Sequence, residues 1–72
     1  MPRPTEDLVR IAEAGGGLTI DASMREIEDL IKIARAARES GGRIHITNIR
    51  MWKTDELVQV ASVGRGCVSF EL

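Results

Sequence analysis

One five-residue phrase occurs three times in this chain of 72 residues, and this internal repeat constrains the fold more than any other feature. The copies occupy residues 8–12, 30–34 and 57–61, and each is followed by glycine and then by a short run of alternating apolar and polar residues. Self-similarity at a period of about 20 to 50 residues is typical of stacked repeat units. The sequence therefore predicts three helix–strand units.

The alternating runs predict strands at residues 18–22, 43–49 and 67–72. Strands that are joined through helices run parallel, and such crossovers are right-handed in nearly all cases. We therefore expect an α/β fold in which a three-stranded parallel sheet carries its helices on one face, solenoid-like, within a single domain of residues 1–72. Sequential strand order is the expected arrangement, and order 2-1-3 is the alternative.

Helix starts are predicted from residues whose side chains can accept hydrogen bonds from exposed backbone amides. Thr5 and Thr54 each precede two acidic residues, and Ser23 stands three residues before Glu26, which is the spacing of a capping box. Glycines end each predicted helix, at residues 15–17, 41–42 and 64–66. These glycines are interpreted as helix caps because a phosphate-binding loop places glycines before a helix and not after it.

The small size of the chain favours association with another chain. A domain of this length buries only about 60% of its unfolded surface and needs additional stabilisation. The chain has one cysteine, Cys67, and one histidine. An intrachain disulfide and a metal-ligand cluster are therefore not expected, and no cofactor is predicted.

Localisation is predicted from the lone thiol and from the lack of long apolar runs. A free cysteine favours a reducing compartment. A membrane span needs an apolar run of about 18 residues, and no run in this sequence comes near that length. Residues 1–6 lack the hydrophobic core of a signal peptide. The cytoplasm is therefore the expected compartment, with no membrane as partner.

The predicted strands alternate cleanly, which is unusual because parallel sheets normally have both faces covered and read as continuous apolar runs. The outward-facing residues are Thr19, Asp21, Arg43, His45, Thr47, Cys67, Ser69 and Glu71. A sheet covered on one side only, with at least one open edge, offers polar side chains and unpaired backbone groups to another chain. We expect this face, an edge, or both to meet a partner; the alternative is a solvated two-layer sheet.

A catalytic interpretation of this face uses Cys67, His45 and Asp21, since a cysteine beside a histidine and an acid can form an activated nucleophile. Single residues of these types arise by chance in most chains, and a repeat this small is not expected to hold a deep pocket. The chain is therefore predicted not to be an enzyme. The simpler expectation is a polar ladder in which Arg43, Asp21 and Glu71 pair across strands.

The most basic part of the chain contains its only tryptophan. The residues are Arg35, Arg38, Arg43, Arg50, Trp52 and Lys53. Arginines with an aromatic residue can bind nucleic acid or an acidic protein patch, although the net charge of −1 argues against nucleic acid. Arg35 and Arg38 are expected on the solvated face and C-terminal end of the long helix. Trp52 is expected to be either a lid on the core or an anchor in a partner's pocket.

Two resemblances concern the repeated units. The phrase and its strand superficially resemble a leucine-rich repeat, but the strand follows the helix and Asn48 does not recur as a ladder residue, so that family's function is not transferred. Residues 60–70, Val-Ala-Ser-Val-Gly-Arg-Gly-Cys-Val-Ser-Phe, are similar to short bacterial α/β-repeat proteins from loci of toxins and their immunity partners. This resemblance extends over most of the chain and implies a stoichiometric inhibitor, not an enzyme.

The leading hypothesis is a non-enzymatic protein-binding module, most specifically an immunity-type inhibitor that occludes the active site of a toxin partner. The predicted partner-binding residues are Trp52, Arg50, Lys53, Asp21, Arg43, His45 and Glu71. One alternative is a homo-oligomeric structural or assembly protein, in which the sheet face or edge meets a symmetry mate. Another is a small nucleic-acid-binding factor.

Overall fold

The computed structural model describes residues 4–72, in which three helices alternate with three strands. The elements are α1 (Thr5–Glu13), β1 (Gly17–Asp21), a short 3₁₀ helix (Ala22–Met24), α2 (Ile27–Ser40), β2 (Arg43–Thr47), α3 (Thr54–Gly64) and β3 (Val68–Phe70). The expectations about a domain of residues 1–72 and about the signal-peptide segment include residues 1–3, which lie outside the described residues. All three predicted helix–strand units are present.

The three strands form one parallel sheet in the order β1-β2-β3. Sequential order is therefore confirmed, and the 2-1-3 alternative is wrong. The sheet is open, because β1 and β3 each pair on one side only within residues 4–72. Strand β1 has the predicted length but begins and ends one residue earlier, whereas β2 ends at Thr47 and β3 is limited to three residues, so both are shorter than predicted.

Each helix packs against the strand of its own unit, and α2 lies between α1 and α3. Side chains alternate between the two faces of a strand, so one face of the sheet receives the apolar residues. Along β2, Ile44 and Ile46 are fully buried, while Arg43 on the opposite face is exposed. The helices therefore cover one face, as predicted from the alternation.

The core is built mainly from the repeated phrase and the inward strand residues. Its buried members are Leu8, Ala12, Ile20, Ala22, Leu30, Ile33, Ala34, Ala36, Ala37, Ile44, Ile46, Ile49 and Val60. Burying one large aliphatic side chain contributes about 1.5–3 kcal/mol, and Leu30 and Ile33 are almost inaccessible to solvent. The alanines of the phrase keep the helices close to one another and to the sheet.

The predicted threonine caps are wrong. Thr5 is the first residue of α1 and Pro4 occupies the N-cap position, while the Thr5 hydroxyl accepts a hydrogen bond of 3.0 Å from the Arg25 guanidinium. Thr54 is likewise the first residue of α3. At that helix the backbone N–H of Lys53 donates to the Glu56 carboxylate at 2.9 Å, so the acid of the first turn satisfies the helix start.

The predicted capping box of Ser23 and Glu26 is also wrong. Ser23 lies in the 3₁₀ helix, where the Asp21 carboxylate accepts hydrogen bonds from its backbone N–H at 2.9 Å and from its hydroxyl at 2.5 Å. Helix α2 begins three residues later, with Glu26 at the N-cap and its backbone N–H donating to Asp29 at 3.4 Å. Because the Ser23 hydroxyl donates to Asp21, Ser23 does not cap α2, and the helix begins at Ile27.

Glycines end the first two helices, as predicted. Gly41 adopts the left-handed conformation at the end of α2, with φ of 81°. The end of α3 differs, because Arg65 takes the left-handed cap position with φ of 42° and Gly66 follows it. Within residues 4–72, no helix has both the length and the apolar character needed to cross a membrane.

Candidate functional site

The uncovered side of the sheet carries seven polar side chains in three rows, and we call this surface the polar face. Its members are Thr19, Asp21, Arg43, His45, Thr47, Ser69 and Glu71. Strand register sets the rows, because Thr19 aligns with His45 and His45 aligns with Ser69. No element of residues 4–72 covers these side chains, and all of them are exposed or half-buried.

The middle row contains a direct side-chain contact. The Nδ1 atom of His45 lies 2.8 Å from the Ser69 hydroxyl, which is also within 3.4 Å of the Ile44 carbonyl. Ser69 was not among the predicted site residues. Aligning the repeats would have predicted it, because matching residues 44–47 with residues 68–71 places His45 opposite Ser69. The contact holds the imidazole at the centre of the polar face.

The proposed nucleophile of Cys67, His45 and Asp21 is not assembled. Thr19, not Asp21, is the neighbour of His45 on β1. Cys67 was expected on the outer face, but it is half-buried and packs against the core. It precedes β3, and its carbonyl accepts a 2.7 Å hydrogen bond from the Ile44 backbone N–H, which places it one row before His45. The parallel register separates the three groups along the strands.

The predicted ion-pair ladder is also wrong in its register. Arg43 aligns with Gly17 at the amino ends of the strands, whereas Asp21 aligns with Thr47 at the carboxyl ends. Glu71 continues past β3, and its backbone N–H donates to the Ile46 carbonyl at 2.9 Å, which keeps it beside Thr47. The polar face is consequently basic at one end and acidic at the other.

The acidic end is ordered by hydrogen bonds to Asp21. The side chain and backbone of Ser23 and the side chain of Asn48 all donate to this carboxylate, and together they lower the pKa of Asp21 below its ordinary value of 3.8. Asn48 follows β2 in a left-handed conformation with φ of 57°, in which asparagine is tolerated. Asp21 is therefore an anchored anion at neutral pH.

The segment after β2 lies at the carboxyl edge of the sheet, which is the edge where open α/β sheets commonly bind ligands. Arg50 and Lys53 are exposed, and Met51 is 93% exposed. Trp52 is half-buried and packs against the core, and its backbone N–H donates to the Ile49 carbonyl at 2.9 Å. Trp52 thus serves as a lid on the core while keeping part of its surface accessible.

The basic residues do not form one surface. Arg43 begins β2, whereas Arg50 and Lys53 follow its other end. Arg35 lies elsewhere again, in a groove between α1 and α2 that is lined by side chains of both signs. The structure therefore brings Arg50, Trp52 and Lys53 together and leaves Arg43 apart from them.

In the described part of the chain, no three His, Cys, Asp or Glu side chains are placed to hold a metal ion. No protein-family model matches this sequence, and neither the curated proteins nor the solved structures include a match to it. Function is therefore inferred from the polar face and the carboxyl edge themselves.

Proposed function

We propose that the chain is a non-enzymatic protein-binding module and that another protein covers its polar face. The observation that supports this most is a parallel sheet with helices on one side and in-register polar side chains on the other. Parallel sheets in α/β proteins are normally covered on both faces. A partner that supplies the second layer would complete this arrangement.

The separation of charge along the polar face supports a partner held in one orientation. Asp21 and Glu71 flank Thr47 at one end, and Arg43 lies at the other end. A partner with basic groups over the two carboxylates and an acid over Arg43 would be attracted in one orientation and repelled in the reverse one. Such complementarity contributes mainly to association rate and specificity.

The more specific proposal is an immunity-type inhibitor that acts in the bacterial cytoplasm and occludes the active site of a toxin. It is supported by the resemblance of residues 60–70 to proteins of toxin–immunity loci, and by the lone thiol of Cys67. Inhibition would be steric and stoichiometric. Arg50, Trp52 and Lys53 would extend the interface past the carboxyl edge, with Trp52 as the aromatic contact.

The test compares proteins retained from a lysate of the native cell by immobilised variants of the chain. His45→Glu places a negative charge at the centre of the polar face, and Gln59→Glu places the same charge on the exposed side of α3. We expect one stoichiometric protein on the wild type and on Gln59→Glu, with retention on His45→Glu reduced about tenfold or more.

A second face variant, Thr19→Lys, guards against a folding defect in His45→Glu, since Thr19 is exposed. Melting followed by circular dichroism establishes that each variant is folded. Equal retention of the same protein by the wild type and by both face variants would show that the polar face is not the binding surface.

Of the two homo-oligomeric alternatives, assembly through the sheet face competes with this proposal, whereas assembly through the open edges of the sheet is compatible with it. A nucleic-acid-binding role is not proposed, since the net charge is −1 and Arg43 lies apart from Arg50 and Lys53.

A further inference from the structure

The second position of the repeated phrase differs in burial between the three copies. Val9 in α1 and Ile31 in α2 are half-buried, whereas Val58 in α3 is 56% exposed. Val9 lines the groove between α1 and α2, so this position points towards the following unit. Val58 is exposed because no further unit follows α3 within the described residues.

The fourth position shows the opposite trend. Ile33 in α2 and Val60 in α3 are fully buried, whereas Ile11 in α1 is 38% exposed. Ile11 lines a shallow surface with Asp7, Arg10, Ala14 and Gly16, and Arg10 separates this surface from the groove that Val9 lines. This position therefore points towards the preceding unit, and α1 has none among the described residues.

Helix geometry accounts for both trends. Successive residues are rotated by about 100°, so the first and fifth positions of the phrase face the sheet while the second and fourth lie on opposite flanks. Every unit thus carries one apolar flank for its predecessor and one for its successor. Repeat proteins usually end in units with polar outer faces, whereas this chain leaves Ile11 exposed beside Asp7 and Arg10 at one end and Val58 exposed at the other.

Small residues at the two internal junctions show how close the contacts between units are. At the α1–α2 junction the Ser40 hydroxyl donates to the Ala12 carbonyl, and a Cβ on Gly42 would lie 2.8 Å from the Gly16 carbonyl oxygen. At the α2–α3 junction a Cβ on Gly64 would lie 3.5 Å from the Ala34 Cβ. The corresponding alanine of α3, Ala61, is only half-buried.

The end of α1 offers small residues that could meet Ala61 of another copy. Ala14 and Gly15 are exposed and Gly16 is half-buried. The two ends also carry unpaired strand edges, because β1 and β3 each have one edge unpaired within residues 4–72. An unpaired parallel edge can accept a further strand.

We infer that copies of this chain stack head to tail. The α3–β3 end of one copy packs on the α1–β1 end of the next, Val58 meets the flank of Ile11, and β3 pairs in parallel with β1. The occupant is a second copy because its two ends carry the two halves of an interface that the chain already makes twice internally. The contact is heterologous, so it produces a ring or a filament. This inference is independent of the proposed partner on the polar face.

The test is sedimentation velocity over a range of protein concentrations, with one charge introduced at each end. Ile11→Glu blocks the α1–β1 end, Val58→Glu blocks the α3–β3 end, and Met51→Glu is the control because Met51 is exposed but belongs to neither end. We expect the wild type and Met51→Glu to form species larger than a dimer, and each end variant alone to be monomeric.

The decisive sample is an equimolar mixture of the two end variants. Each retains the end that the other lacks, so the mixture should form one-to-one dimers and nothing larger. A wild type that is still monomeric at about 0.5 mM would overturn the inference, because stable protein interfaces have dissociation constants below that concentration. So would a mixture that stays monomeric or assembles as the wild type does.

Exposed positions provide a second pair of variants if either glutamate prevents folding. Ala14→Arg alters the α1–β1 end and Ser62→Arg alters the α3–β3 end, and both residues are exposed. The expected and contradicting results of the mixture are the same for this pair.

Discussion

Ile46 occupies the centre of the sheet, on the middle strand and facing the helices, with 1% of its surface exposed. Ile46→Ala should lower the free energy of unfolding by about 2–5 kcal/mol through lost apolar burial and a residual cavity. Urea unfolding measures this loss, with Met51→Ala as the control that should change little. An Ile46→Ala variant as stable as the wild type would contradict the inward assignment of β2.

Asp21 gives the structure a pH dependence whose sign is defined. Its pKa is below 3.8 in the folded chain because Ser23 and Asn48 donate to the carboxylate. A lowered folded pKa stabilises the fold above the unfolded pKa, and this contribution disappears as the pH falls through the folded value. Asp21→Asn should therefore be less stable than the wild type at pH 7, with the difference shrinking at pH values below about 4.

Urea unfolding at several pH values measures this difference, and Ser23→Ala supplies the matched background. Removing the Ser23 hydroxyl removes one donor, so Asp21→Asn should cost less stability in that background than in the wild type. A stability difference that stays constant between pH 7 and pH 2 would contradict the anchored anion.

Inward and outward positions in the strands were predictable residue by residue, because alternation with period two leaves only one way to bury isoleucines such as Ile20, Ile44 and Ile46. The Ser69 partner of His45 could also have been found by aligning the repeats. The Asp21–Asn48 contact could not, since Asn48 lies after the end of β2, outside the alternating pattern of the strands.

At the scale of elements, the existence and type of all six repeat elements were predictable, and so was the start of α1 at Thr5, whereas the start of α2 and the capping groups were not. The sequence offers several residues that can accept a backbone N–H near each start, and side-chain contacts decide among them. The Thr5 hydroxyl accepts a hydrogen bond from Arg25, which is a tertiary contact, and the Ser23 hydroxyl donates to Asp21, which is a local one. The acids Asp29 and Glu56 then satisfy the starts of α2 and α3 from within the first turn.

The end of α2 provides a test of how closely the units pack. Gly41 has a positive φ of 81° and open space around its missing Cβ, so Gly41→Ala should cost about 1–2 kcal/mol through backbone strain alone. A Cβ on Gly42 would meet the backbone at the end of α1, so Gly42→Ala should cost more. Thermal or urea unfolding compares the two, and a milder effect at Gly42 would contradict the close junction of α1 and α2.

At the scale of the whole molecule, the repeat predicted the sequential parallel sheet, because each unit packs beside the next. The pairing of charges on the polar face was mispredicted because parallel register aligns equivalent positions of the repeat. Equivalent positions collect like residues at the same end of the strands, as Asp21 and Glu71 show. A cross-strand pair between Arg43 and these acids would require a shift along the strand.

Head-to-tail stacking has a thermodynamic consequence for the whole chain. Association of folded copies stabilises the folded state by mass action, so the melting temperature of the wild type should rise with protein concentration. Ile11→Glu should melt at a temperature independent of concentration, since one end of every copy is blocked. Circular dichroism at two concentrations about tenfold apart measures both, and wild-type melting that ignores concentration would contradict stacking.

In the proposed complex another protein covers the polar face, and His45, the one histidine of the chain, lies at the centre of that face and reports on its accessibility. The measurement is the rate at which diethylpyrocarbonate modifies His45, followed by peptide mass spectrometry in the isolated chain and in the complex retained from the native lysate. We predict that the rate falls about tenfold or more in the complex, as for a residue inside a water-excluding interface. An unchanged rate in an intact complex would contradict the claim.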